Sequence, residues 1–187
     1  MIIGLTGTNG AGKGEVAKYL KKKKFKYFSL SDIVREETAK RKLEHTRENF
    51  IRVGNELRIR YGAGILAQRI ISKIKKLRGN ADIVVDSIRN PKEVEILRKI
   101  SDFSLLAIDA SVKIRYSRIL KRKRIDDKGT LKGFVRNEKL ENSNNPSSQQ
   151  LKKCIGLADK IIINNKTKLM LHKKTDGFLK WIKENTK

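Results

Sequence analysis

Residues Gly7-Thr8-Asn9-Gly10-Ala11-Gly12-Lys13-Gly14 follow directly on the apolar run Met1-Ile2-Ile3-Gly4-Leu5-Thr6. The apolar run predicts a short β-strand, and the glycine-rich stretch predicts a loop that ends on a lysine. A loop of this form surrounds a polyphosphate with backbone N–H groups, and the helix behind it points its N-terminus at the same anion. The sequence therefore predicts a nucleoside triphosphate site made of Gly7, Thr8, Asn9, Gly10, Ala11, Gly12, Lys13, Gly14 and Glu15.

The loop departs from the usual formula after its lysine, where Gly14 replaces the hydroxyl residue and Glu15 follows. A carboxylate in the first helical turn competes with the triphosphate, because two unit charges about 4 Å apart repel by roughly 4 kcal/mol at an effective dielectric near 20. Glu15 can turn away to solvent or a basic neighbour, join a Mg²⁺ site in place of the missing hydroxyl, or weaken nucleotide binding. We expect the first outcome, with Lys18 as the nearby cation.

The rest of the chain alternates apolar runs with segments of helical period. Strands beyond Ile2–Thr6 are predicted at Lys26–Leu30, Asp82–Asp86, Phe103–Asp109 and Lys160–Asn164. A helix is predicted from the stripe Leu66, Ile70, Ile74 and Leu77, and another starts at Asn90-Pro91-Lys92-Glu93, which has the form of a capping box. Strands separated by helices predict an α/β three-layer sandwich, with a five-stranded parallel sheet, helices on both faces and one domain over residues 1–187. The stretch 142–148 is expected to be an exposed loop, and Asp126-Asp127-Lys128-Gly129 is expected to form a second loop with a turn.

The chain is strongly basic, with 45 Lys and Arg against 20 Asp and Glu and a formal net charge of +25. Because the basic residues are spread along the sequence, we expect only weak, nonspecific binding to nucleic acid. No apolar run reaches the length of a membrane helix, no signal peptide is recognisable, and Cys154 is the single cysteine. A cytoplasmic protein without membrane contact is expected. His45 and His172 lack metal-ligand spacing, and we assign them no chemistry.

Charged residues at two predicted strand ends indicate a second ligand beside the loop. Arg35 follows Ser31 and Asp32 at the start of a helix, and Arg89 lies just beyond the end of a strand, where ligands collect in open α/β sheets. Two arginines there can bind an acceptor phosphate through bidentate hydrogen bonds. Asp86 ends the same strand and can hold Mg²⁺ through a water molecule, position Arg89, or cap the turn. The predicted acceptor residues are Ser31, Asp32, Arg35, Asp86, Arg89 and Arg136.

Arg115, Arg118 and Arg122 recur at helical spacing and share one face. Phosphoryl transfer spreads negative charge over the moving group, and arginines that stabilise this charge accelerate the reaction about 10³- to 10⁵-fold. A solvated basic face is the ordinary alternative. We predict catalytic roles for Arg118 and Arg122, together with Lys13 and Arg89, and a third clamp at Arg136.

Gly-Ala-Gly-Lys-Gly at 10–14 resembles the adenylate-kinase branch of the P-loop nucleoside monophosphate kinases, which usually has Gly-Thr where this chain has Gly14-Glu15. Ser29-Leu30-Ser31-Asp32-Ile33-Val34-Arg35 is similar to that family's Ser-x-Gly-Asp-Leu-Leu-Arg stretch. Asp86-Ser87-Ile88-Arg89 resembles its Asp-Gly-Phe-Pro-Arg segment, and the arginines of 118–122 resemble the pair that leads into its lid. The match is closest to small archaeal predicted nucleotide kinases.

The resemblance implies an acceptor-binding helical segment at 31–78 and a short lid at 118–136 without structural zinc. It also implies that ATP and Mg²⁺ are used, and that the enzyme is a Mg-ATP-dependent phosphotransferase acting on a nucleoside monophosphate or a nucleotide-like acceptor. Three alternatives stay open at this point. They are a dephospho-coenzyme A kinase-like activity, an ATPase or nucleotide-dependent switch with an RNA or protein partner, and a silent binding module.

Overall fold

The computed structural model describes residues 1–77, 79–122, 130–140, 142 and 144–185, with 137 and 140 described by their backbone alone. Its elements are β1 Ile2–Gly7, α1 Lys13–Lys22, β2 Lys26–Ser29, α2 Leu30–Lys40, α3 Arg47–Tyr61, α4 Ile65–Lys75, β3 Ile83–Asp86, α5 Pro91–Leu97, β4 Phe103–Asp109, α6 Val112–Arg122, α7 Leu131–Leu140, α8 Leu151–Gly156, β5 Lys160–Ile163 and α9 Lys168–Asn185.

The strands form one five-stranded sheet in the order β2-β3-β1-β4-β5, and every neighbouring pair is parallel. This confirms the predicted fold class, and each predicted strand lies within two residues of an observed one. Across the carboxyl edge, Gly7 pairs with Ile108 and Ser29 pairs with Asp86. Because all strands run the same way, the loops that follow them collect at this edge.

The sheet is covered on both faces, so the inner strands β1 and β3 are buried at successive positions rather than alternating. Ile3, Leu5 and Ile108 pack on one face with residues of α1 and α9. Ile2, Val85 and other buried residues of the opposite face pack with α2 to α5. The phosphate loop and the helical segment predicted to bind the acceptor are therefore carried on the same rigid sheet.

The sequence patterns of two helices are confirmed. In α4, Leu66 and Ile70 are buried, and the later members of the stripe pack against the same core. In α5, Asn90 and Glu93 form the predicted capping box, with Pro91 in the first turn.

The described part of the stretch 142–148 is a loop with residues 144–146 exposed, as expected, and it is also fastened to the β3–α5 connection. The Asn90 amide donates to Pro146 O at 2.7 Å and to Ser148 O at 2.8 Å, and Gln150 N donates to Arg89 O. The predicted turn at 126–129 lies outside the described residues. No helix in the described part of the chain is long and apolar enough to span a membrane.

A buried ion pair joins α3 to the start of α5. Glu93 is fully buried, and its Oε1 accepts from Arg58 Nε at 3.1 Å and Nη2 at 2.9 Å. Its Oε2 accepts from the backbone N–H groups of Arg89 and Asn90. Both carboxylate oxygens are satisfied, so this carboxylate fixes the turn carrying Arg89 against the helical segment.

We expect Glu93→Ala to lower the free energy of unfolding by about 3–5 kcal/mol, because Arg58 is left buried without its partner. Denaturant unfolding measures this loss. Glu95→Ala is the matched control, since the Glu95 carboxylate lies on the surface of the same helix beside Lys92. Equal free energies of unfolding for the two variants would show that Glu93 does not stabilise the fold through its ion pair with Arg58.

Candidate active site

The loop after β1 passes so close to neighbouring backbone that it requires glycine. Gly7 has φ +131°, and a Cβ there would lie 1.9 Å from Ile108 O. Gly12 has φ +114°, and a Cβ there would lie 2.5 Å from Asn164 Nδ2. Both conformations are left-handed, which side chains other than glycine rarely adopt. The predicted phosphate loop is thus seated against the ends of β4 and β5.

Lys13 begins α1 and its side chain folds over the loop. Its Nζ donates to Gly7 O at 2.6 Å and to Thr8 O at 2.9 Å. The cation therefore lies at the mouth of the loop, beside the N-terminus of α1, where the backbone N–H groups of the first turn and the helix dipole stabilise an anion.

Side chains from distant elements hold the loop backbone. Thr8 Oγ1 donates to Asp109 Oδ1 at 2.5 Å, and Asn164 Nδ2 donates to Ala11 O at 2.7 Å. Asn164 is buried, and its amide holds the loop carbonyl from the end of β5. The sequence did not predict this role for Asn164, because nothing local to the sequence indicates that strand β5 ends beside residue 11.

The arginines that share one face of α6 differ in their contacts. Arg115 is buried, donates to Ala110 O and Asn9 O, and pairs with Glu138 of α7. Arg118 donates to Ala11 O at 3.3 Å and to Asn164 O at 3.0 Å. Both guanidinium groups lie against the loop backbone, so they position the loop, and the predicted clamp role of Arg118 stays a prediction.

Arg122 and Arg136 are exposed on α6 and α7. Phe134 of α7 contacts Tyr116 of α6, with ring centroids 5.9 Å apart. The residues of 118–136 that the structure describes thus form a helix pair next to the loop. The predicted roles of Arg122 and Arg136 as clamps remain predictions.

Asp86 ends β3 and is held on both carboxylate oxygens. Its Oδ1 accepts from Ser87 N at 2.6 Å, and its Oδ2 accepts from Tyr27 Oη at 3.1 Å. Asp86 is 8% exposed. Mg²⁺ in phosphoryl-transfer sites is bound through one or two carboxylates, water and substrate oxygens, so a nearly buried, fixed carboxylate at this edge fits that ion. In the described residues, no group of three or more His, Cys, Asp or Glu could form a metal site made of protein ligands alone.

Three serine hydroxyls join the ends of β2 and β3. Ser31 Oγ donates to Ser87 Oγ at 2.7 Å, and Ser29 Oγ donates to Ser87 Oγ at 3.2 Å. Ser87 has φ +66°, a left-handed conformation that is costly for serine. The chain thus keeps a strained residue where its hydroxyl connects β3 to the start of the helical segment.

The two arginines predicted to bind the acceptor have protein partners here. Arg35 Nη1 donates to Asp32 Oδ1 at 2.9 Å, and both side chains are about half exposed. Arg89 Nη1 donates to Gln149 Oε1 at 2.9 Å. Asp32 and Arg35 project from α2, and Arg89 follows β3, so the topology brings them to the same sheet edge as the loop. Their binding to an acceptor stays a prediction.

Glu15 contacts basic side chains as expected, but the partners are on α9 and not at Lys18. Its Oε1 lies 3.1 Å from His172 Nε2 and its Oε2 lies 3.4 Å from Lys168 Nζ, both on α9. Lys18 follows Glu15 on the same helix, whereas α9 packs alongside α1 and offers cations directly across the interface. His172, to which the sequence assigned no role, is therefore part of the surroundings of the site.

Comparison with known proteins agrees with this fold. A family model described as an AAA domain matches residues 3–144. The chain is 36% identical to a UPF0200 protein of Sulfurisphaera tokodaii over 97% of both chains, and 38% identical to one of Pyrococcus abyssi over 88% of both. The shikimate kinase of Aquifex aeolicus superposes with a TM-score of 0.53 at 15% identity, covering 99% of each chain, which shows a shared P-loop kinase-like fold.

Ser87→Ala is expected to be less stable than Ser87→Gly by about 1 kcal/mol, because both variants lose the hydroxyl but only alanine keeps the left-handed strain. Unfolding of the two variants in denaturant gives this difference directly. If the two are equally stable, Ser87 stores no backbone strain.

Burial, followed by the charge of Asp86, raises the pKa of Tyr27 to about 12 from an ordinary value of 10.0. Below pH 10 the phenol is protonated in the folded and unfolded chains alike, so its contribution to stability is fully present there. Between pH 10 and 12 the unfolded chain loses the proton first, and that contribution is lost.

The stability advantage of the wild type over Tyr27→Phe should therefore shrink as the pH rises through this window. The comparison requires unfolding free energies of both proteins at matched pH, so that lysine titration cancels. Parallel stability curves would show that Tyr27 does not donate to Asp86.

Proposed function

The chain belongs to the AAA-domain family and to the UPF0200 proteins, and on this basis we propose that it is a Mg-ATP-dependent phosphotransferase. The acceptor is a nucleoside monophosphate or a nucleotide-like molecule. The observation that carries the proposal is the position of a separate helical segment at the same edge of the sheet as the glycine-rich loop. This segment, α2 to α4, lies between β2 and β3, and its Ser31 hydroxyl contacts Ser87 at the end of β3.

On the donor side, this chain supplies backbone N–H groups and one mobile cation. The loop residues 7–12 and the start of α1 bind the phosphates of ATP, and Lys13 moves from the loop carbonyls to the β- and γ-phosphates. Asp86 would hold a magnesium ion through a water molecule, and the ion would neutralise phosphate charge there. Asp86 itself is held in place by Tyr27 and the backbone of Ser87.

On the acceptor side, the chain offers hydroxyls and guanidinium groups at the ends of β2 and β3. Ser31, Asp32 and Arg35 of α2 bind and orient the acceptor, and Arg89 binds its phosphate. The phosphate of a nucleoside monophosphate already carries the attacking oxygen as an anion. The chain therefore needs no nucleophile of its own, and positioning supplies most of the rate enhancement. Arg118, Arg122 and Arg136 stabilise the charge on the transferring group and exclude water.

The buried Arg58–Glu93 pair connects the helical segment to the turn that carries Arg89. Glu93 binds the backbone N–H of Arg89, and Arg58 comes from α3 of the helical segment. A movement of α3 is therefore coupled to the turn that carries Arg89. In kinases of this architecture, closing of such segments over the acceptor completes the site.

An acceptor screen tests the proposal. With ATP and Mg²⁺ present, ADP formation should rise in the presence of one nucleoside monophosphate, deoxynucleoside monophosphate or dephospho-coenzyme A. Lys13→Met should lower turnover at least about 10²-fold, because a charge-stabilising group is lost from the transition state. Arg89→Lys should mainly raise the acceptor KM, because lysine cannot bind phosphate in a bidentate manner.

Arg98→Ala is the matched control for Arg89, since Arg98 lies at the far end of α5 and binds Leu157 O and Asp159. Its turnover should equal that of the wild type. ADP release that depends on RNA, with no phosphorylated acceptor in the screen, would instead identify a nucleotide-dependent switch and contradict the proposal.

A further inference from the structure

Glu15 occupies a position where a negative charge is unfavourable for triphosphate binding. It lies two residues beyond Lys13, in the first turn of the helix whose N-terminus faces the loop. A carboxylate in the first turn is itself attracted to the helix dipole, so it competes with a phosphate for the same field. The direction in which this side chain points therefore decides whether the loop can accept a triphosphate.

Contacts from α9 determine this direction. The Glu15 Oε1 accepts from His172 Nε2 at 3.1 Å, because an ionised carboxylate can only accept. Lys168, one turn earlier on α9, places its Nζ 3.4 Å from Oε2. Both contacts hold the carboxylate against α9, across the α1–α9 interface.

The His172 ring is itself held rigidly. It stacks on the ring of Tyr19, with centroids 4.2 Å apart and planes within 6°. The Tyr19 hydroxyl donates to Asp176 Oδ2 at 2.6 Å, and Asp176 Oδ1 lies 3.0 Å from Lys23 Nζ. This chain of contacts alternates between α1 and α9, so the imidazole is positioned before any ligand binds.

The two partners of Glu15 differ in how strongly solvent screens their interaction with its carboxylate. Glu15 and His172 are each 25% exposed, whereas Lys168 is 79% exposed and its charge is screened by solvent. Burial raises the pKa of Glu15, but the His172 hydrogen bond and the Lys168 charge outweigh it, so the pKa lies below its ordinary value. The carboxylate is therefore ionised near neutral pH.

We propose that His172 is a positioning residue for nucleotide binding, which, with Lys168 as a second partner, holds the Glu15 carboxylate against α9 and out of the phosphate loop. The inference rests on the proposed function, because it requires a triphosphate at that loop. It assigns α9 a task beyond covering the sheet. Without His172, the carboxylate can rotate towards the N-terminus of α1 and repel the bound phosphates.

Calorimetric titration with Mg-ATP tests this inference on four proteins: wild type, Glu15→Gln, His172→Ala and the double variant. His172→Ala should weaken Mg-ATP binding at least about tenfold, since placing like charges side by side is costly. In the Glu15→Gln background the same change should have no effect. The weakening should also diminish at high salt, because it is a charge repulsion.

A structural role for His172 gives a different result. Damage to the α1–α9 packing would persist in the double variant, and thermal unfolding of all four proteins would report it. Lys180→Ala, an exposed position further along α9, is the control and should bind like the wild type. Equal weakening by His172→Ala in both backgrounds, or no weakening in either, overturns the inference alone. Absence of Mg-ATP binding by the wild type overturns the proposed function and the inference together.

Discussion

The close passage of the loop past the end of β4 is the constraint on which the rest of the site depends. At Gly7 a single added carbon would lie 1.9 Å from the carbonyl oxygen of Ile108. The chain can leave β1 in this direction only because no side chain is present, and the left-handed backbone then turns the following N–H groups towards one point. The loop is therefore shaped by contact with its neighbours as well as by its own sequence.

Polar side chains from distant elements hold the loop in this position. Asp109, Asn164, Arg115 and Arg118 all bind loop residues, and they come from β4, the end of β5 and α6. Fixed dipoles and charges of this kind are what a preorganised anion site requires. The basic residues of the chain therefore do not all have the same role, because Arg115 and Arg118 bind backbone carbonyl oxygens inside the molecule.

The sequence was sufficient for features that are local or periodic. Spacing and residue type predict the five strands, the loop, the α4 stripe and the Asn90–Glu93 capping box, because each depends on residues within one element. The order of the strands and the contacts between distant elements could not be obtained this way. Asn164 binds a carbonyl 153 residues earlier, and His172 binds Glu15 across 157 residues. These contacts follow from the packing of β5 and α9 beside β1 and α1, which no local pattern specifies. For the same reason the sequence predicts Lys18 as the partner of Glu15, and it does not indicate that Arg115 and Arg118 bind loop carbonyls.

The position of β1 at the centre of the sheet has a consequence for the order in which the molecule can be assembled during synthesis. β1 and the loop leave the ribosome before their strand partners at residues 83–86 and 103–109, and the loop contact from Asn164 comes later still. The apolar strand β1 thus waits without a partner until these residues are made, and such a segment is prone to wrong pairing. The loop, although its motif lies at residues 7–14, receives the contact from Asn164 only after β5 has been made. A nascent chain would therefore complete the nucleotide site only after β5 has left the ribosome.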